Sequence, residues 1–152
     1  LTRVDELVLA PNEARDKYWL RQFVLAREGY NAYTIAREED RTVSLLGAPA
    51  VAEAYREEVI AFEAKHVGRL ADVRIEVDVD SYSLAEEGGV ATVRFTETLS
   101  EPKQPAGPIE RRMVATVAYS FEPSVTMSLR DRVENPLAFR VDSYRVDEEM
   151  QR

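Results

Sequence analysis

The residues best suited to chemistry are few. Glu76, Asp78 and Asp80 occupy alternate positions of the run from Val73 to Asp80, and hard carboxylate oxygens are the ligands that Ca²⁺ and Mg²⁺ prefer. An extended strand sets alternate side chains about 6–7 Å apart. That spacing is too wide for one ion without ligands from elsewhere, so the alternation reads as a solvated strand face. His66 is the only histidine. It lies between Lys65 and Val67 near the end of a helical pattern, which predicts a surface or capping role and gives no support to a Ser-His-Asp arrangement. Among 28 acidic residues some carboxylate pairs fall close by chance, so no acid/base pair stands out. The chain has no cysteine, which removes thiol nucleophiles, disulfides and thiolate metal sites. It has no glycine-rich phosphate loop either, and no cofactor is expected.

The aromatic residues have structural uses first. Trp19, Phe23, Ala26 and Tyr30 recur on one helical face and form a core stripe. Tyr18 lies beside that stripe. A ring there combines rigid area with a polar handle, which suits either packing or a protein contact.

The elements that position these residues follow from periodicity. Residues 1–12 read as a lead-in, and residues 13–150 as one domain. Pro11-Asn12-Glu13 opens a helix of about five turns. A second helical pattern, Ala32 to Leu46, stops at Gly47, and Pro49 starts a third in which Val51, Tyr55, Val59 and Phe62 recur. From Ala71 the period changes to two. Strands are expected over Val73–Asp80, Val90–Leu99, Arg111–Phe121 and Phe139–Val146, with Glu86-Glu87-Gly88-Gly89 as a hairpin turn and a loop before Asn135. Helices followed by antiparallel strands make an α+β fold, with the helices on the concave face of a curved four-stranded sheet.

Composition bounds the function. At 152 residues, 45% hydrophobic and 32% charged, the chain can bury a core of its own. A net charge of −8 disfavours nucleic acid and anionic lipid headgroups as direct partners. The longest mostly apolar run, Val43 to Ala52, falls well short of the roughly 20 residues of a membrane helix. The chain begins at Leu1 without a basic and apolar leader, the expectation for a piece of something longer.

One block near the C-terminus is more specific. Asn135-Pro136-Leu137-Ala138 is a turn: the Asn side chain can close it, Pro136 fixes its own φ, and Asn135 is steered away from helix. The strand-like Phe139-Arg140-Val141-Asp142-Ser143-Tyr144-Arg145-Val146-Asp147 follows directly. This block resembles the Asn-Pro-x-Gly turn and Ser-Tyr-Arg-Val-Asp strand of the type IV secretion inner-membrane assembly factors, the eighth component of the VirB set. Four further pieces resemble that family in order: Asp16 to Leu20 with Ala26 to Tyr30, Val90 to Thr96, Val114 to Tyr119, and Met127-Ser128.

The resemblance implies a nuclear-transport-factor-two-like cone and a scaffold role without catalysis. It implies a periplasmic domain, held at the bacterial inner membrane by one helix absent from this sequence. It also implies self-association as a homodimer and contacts with other channel components that carry DNA or proteins across the envelope. Tyr18 matches a tyrosine at the family's dimer contact, from whose residues Arg15 and Leu129 depart. Thr116 and Arg145 match partner-contact positions, and Glu58 falls near a surface groove. Ala138 replaces the turn's glycine, which implies either a strained left-handed residue or a different turn with Ala138 in ordinary β backbone.

Two alternatives use the same cone. An isomerase-like enzyme needs a carboxylate or histidine with a shifted pKa among apolar walls, and a ligand-binding module needs a deep apolar pocket. A scaffold needs a filled core and an exposed apolar patch around the first helix or the Asn-Pro turn.

Overall fold

The computed structural model describes residues 11–102 and 104–150. Most of the expected lead-in, residues 1–10, lies outside the described residues. The first helix runs from Pro11 to Glu28 (α1), so the last two residues of the expected lead-in, Pro11 and Asn12, are already helical. After it come β1 (Tyr30–Asn31), a π-helical turn (Ile35–Glu39), α2 (Asp40–Leu46) and α3 (Pro49–Lys65). A 3₁₀ turn at Leu70–Asp72 leads into β2 (Arg74–Leu84), β3 (Val90–Ser100) and β4 (Ile109–Phe121). The chain then forms α4 (Leu129–Glu134) and β5 (Phe139–Glu148).

The strands form one antiparallel sheet in the order β1-β2-β3-β4-β5. Five strands replace the expected four because Tyr30 and Asn31 leave the helix and pair with Ile75 and Arg74. Tyr30 is therefore buried from a strand rather than from the end of α1. Register shifts at Val79/Ser81 and Ala118/Tyr119 mark bulges, which bend and twist the strands that carry them.

Strand alternation puts Ala91, Val93 and Phe95 of β3 and Ala115, Val117 and Tyr119 of β4 on the buried face. Against them pack Leu20, Phe23 and Val24 of α1, Val43 and Leu46 of α2, and Val51, Ala52 and Tyr55 of α3. Burying a Phe or Leu side chain contributes about 1.5–3 kcal/mol, so the inner face holds most of the hydrophobic stabilisation. At the join between α2 and α3, Gly47 bridges Val141 of β5; a side chain there would meet the Val43 carbonyl at 2.8 Å. Pro49 then opens α3, as expected.

The Asn-Pro turn is built around Asn135, which is fully buried. Its Nδ2 donates to the Phe139 carbonyl and its Oδ1 accepts from the Phe139 N–H, both at 2.9 Å, fixing where β5 begins. Ala138 has φ +48°, so the left-handed form of the turn is kept with alanine in it, at a strain of about 1–2 kcal/mol. The expected loop before Asn135 contains α4 instead. Ser128 caps that helix by accepting from the Asp131 N–H at 3.1 Å. Among the described residues no helix is long and apolar enough to cross a membrane.

Candidate contact surface and groove

Helix α1 carries an Arg-acid pair near each end, and each acid takes a hydroxyl from the sheet. Near the N-terminal end Arg15 Nε donates to Asp16 Oδ1 at 3.0 Å, and Tyr119 donates to Asp16 Oδ2 at 2.7 Å. Twelve residues on, and about a third of a turn round the helix, Arg27 Nη1 contacts Glu28 Oε2 at 3.4 Å. Tyr144 donates to that same oxygen at 2.8 Å. Tyr119 comes from β4 and Tyr144 from β5. Each clamp places its arginine over an aromatic ring: Arg15 over Phe121 at 4.1 Å, and Arg27 over Tyr144 at 5.2 Å.

The N-terminal clamp contains one expected dimer-contact residue, Arg15, and a second, Tyr18, follows three residues on along α1. Tyr18 is 56% exposed and meets Trp19 edge-on at 5.1 Å. Trp19 stacks on Phe139, and Phe139 packs on Phe121 under Arg15. Arg15 and Tyr18 are thereby tied through one aromatic cluster to the first residue after the Asn-Pro turn. On the turn Leu137 is exposed, and on α4 so are Leu129 at 81% and Val133 at 71%. Apolar side chains thus stand in water beside a core whose own positions are filled.

Thr116 and Arg145 are brought together elsewhere. They are register partners on β4 and β5 and point away from the core, and Arg145 pairs with Asp147 at 3.0 Å. Glu76, Asp78 and Asp80 are also exposed on the outward face, where Asp80 accepts from Thr96 Oγ1 at 2.8 Å.

Glu58 belongs to a third surface, a groove of about 500 Å³ between α1, α3 and the sheet. Arg27 Nη2 reaches Glu58 at 2.8 Å and so joins the C-terminal clamp to the groove wall. Burial pushes the Glu28 carboxyl up to about 6, although Arg27 and the Tyr144 hydroxyl both favour its ionised form. The same burial, with Glu28 beside it, raises the Tyr144 hydroxyl well above its ordinary range. Further along, Arg111 Nε donates to the buried Glu97 at 2.8 Å. His66 closes this end. Its ring is buried rather than at the surface, with Nδ1 2.8 Å from the Phe62 carbonyl and Nε2 2.6 Å from Glu101, so the capping half of the expectation holds. The groove therefore has the shifted carboxylate that the isomerase alternative calls for, but charged side chains, Arg27, Glu58, Lys65, Glu97 and Arg111, share its lining with the apolar ones, and the Glu28 oxygen facing Tyr144 is held by two donors.

The family model described as VirB8 protein matches residues 1–149. The type IV secretion system protein VirB8 of Brucella abortus is 34% identical over 151 residues, which cover 99% of this chain. The match spans 62% of that protein's length. The solved soluble domain of TrwG from the type IV secretion machinery of Bartonella grahamii is 33% identical with a TM-score of 0.80, covering 93% of this chain and 98% of that one. TraE, solved in complex with 2-(2-furyl)isonicotinic acid, is 31% identical with a TM-score of 0.71, covering 93% and 100%. A helical layer against a bent antiparallel sheet, the Asn-Pro turn at its last strand and these matches agree: the chain belongs to the VirB8 family of type IV secretion system proteins.

Proposed function

We propose that this chain is the periplasmic scaffold domain of an inner-membrane assembly factor, working through self-association and contacts with other secretion components and not through catalysis. The observation that carries this reading is the set of exposed apolar side chains on α1, α4 and the Asn-Pro turn, Tyr18, Leu129, Val133 and Leu137, outside a buried core. Tyr18, Arg15 and Leu129 form the dimer contact, with Arg15 and Leu129 shifting its strength from that of the relatives. Thr116 and Arg145 meet a different component, since they lie on the outward sheet face. The membrane helix lies outside this sequence, and the domain has no direct role in binding nucleic acid.

Sedimentation equilibrium on this chain and on Tyr18→Ala tests the reading, with circular dichroism to show that both stay folded. A reversible dimer weakened at least about tenfold, roughly 1.4 kcal/mol, is expected. A strict monomer at every concentration, with both proteins folded, would overturn the dimer contact.

The groove favours a second reading, small-molecule binding. It holds Arg27 and Lys65 beside the rings of Tyr30, Tyr55 and Phe62, a setting suited to small aromatic acids such as the one TraE was solved with. Unchanged amide resonances of Arg27, Glu28 and Glu58 on adding 2-(2-furyl)isonicotinic acid would sink it.

A further inference from the structure

On the far side of Tyr55 from Arg27, the π-helical turn and α3 leave a second cleft of about 330 Å³. Its apolar lining comes from Ile35, Val59 and Ile60, with Asp40, Arg56 and Glu63 at the rim. Three independent features converge on it. Ile60 is 68% exposed in the middle of α3, and Tyr33, which leads into the turn, is 69% exposed. A single π-helical turn breaks the regular hydrogen-bond ladder and recurs at functional sites. Two buried polar atoms also lack hydrogen-bond partners among the described residues: the Tyr55 hydroxyl, and Glu39 Oε2, whose companion Oε1 accepts from Thr34 at 2.6 Å.

The charges around the cleft indicate what would cover it. Arg56 is committed to Asp40 at 3.1 Å. Glu63 accepts from Tyr30 at 2.7 Å. Glu38, Glu53 and Glu57 remain exposed and form no ion pair among the described residues, against one exposed cation without an ion pair there, Arg37 of the turn. An apolar floor with a surplus of free carboxylates complements a segment that alternates aliphatic and basic side chains. A helix presents such side chains at i, i+3 and i+4. We infer that the cleft between the π-helical turn and α3 is a docking site for a basic amphipathic segment of another protein. Aliphatic side chains seat on Val59 and Ile60, and a Lys or Arg faces Glu53 and Glu57. The inference rests on the chain working through protein contacts, and uses a surface separate from the one at Tyr18.

The test is a two-dimensional amide NMR titration of the ¹⁵N-labelled chain with a leucine/lysine amphipathic helical peptide of about four turns. A leucine/glutamate peptide of the same pattern is the control. Saturable shifts confined to Ile35–Asp40 and Glu53–Glu63 are expected with the basic peptide alone. Ile60→Asp, which changes an exposed position and leaves the core intact, should weaken binding at least about tenfold. No saturable shift, shifts centred on Lys65 and Arg111, or equal affinity for Ile60→Asp would each overturn the proposal. Shifts at the same amides that depend on protein concentration without peptide would make the occupant a second copy of this chain, and overturn it too. Since self-association is read separately by sedimentation, a failure here leaves the Tyr18 contact standing.

Discussion

The two ends of α1 make the same contact in different settings. At each end an arginine, the acid after it and a tyrosine from the sheet form one clamp, but Arg15 keeps 38% of its side-chain surface in water and Arg27 only 9%. The N-terminal clamp borders an open apolar surface, whereas the C-terminal clamp is enclosed in the groove. Enclosure pushes the Glu28 carboxyl up to about 6 despite two favourable partners. Identical chemistry therefore anchors the helix at one end and builds a pH-responsive groove wall at the other.

The largest effect should come from Asp16→Ala, which leaves the buried Tyr119 hydroxyl without its acceptor. A loss of about 2–4 kcal/mol in urea unfolding is expected. A loss below about 1 kcal/mol would mean that this clamp behaves as a surface ion pair, and the comparison would fail at its N-terminal half.

Glu28→Gln tests the other half. Folding raises the Glu28 pKa from 4.5 to about 6, so in that window the folded chain keeps a proton that the unfolded chain has released. Stability from this group is therefore present below 4.5 and lost as pH rises through 6. Relative to the Gln variant, the parent chain should lose about 2 kcal/mol between those limits and neutral pH. Parallel stability curves for the two proteins would show that Glu28 is not held in the enclosed state described.

Tyr144→Phe gives the smallest change, about 0.5–1.5 kcal/mol. Its sharper readout is the Glu28 carboxyl ¹³C titration, which should move to higher pH once the hydroxyl that favours the carboxylate is gone. A titration moving lower would reverse the role assigned to Tyr144.

Much of the fold was legible because its signals are local. The change of period at Ala71, Gly88-Gly89 with φ near +80° at both residues, and Pro49 at the start of α3 each act within a few residues. Helical spacing set Tyr18 beside the Trp19 stripe without deciding between packing and contact, and the ring is exposed. The clamps were not legible. Asp16 and Glu28 meet tyrosines 103 and 116 residues away, and nothing in the sequence separates them from the other acids. Helix α4 did have a local signal, Ser128 three residues before Asp131, masked by reading the stretch up to Asn135 as loop. Strand β1 is too short for any periodicity, and the burial of His66 depends on Glu101, across the sheet in sequence.

The uninterrupted strand order from β1 to β5 also governs how the molecule is made. No strand must be inserted between two already paired, so from β2 onward each can zip onto the previous one in chain order. Helices α1 to α3 precede β2 to β5 in the chain and must wait for the surface they cover. Until β4 and β5 deliver Tyr119 and Tyr144, neither clamp on α1 can close, which makes the last third of the chain the step that commits the first helix to its place.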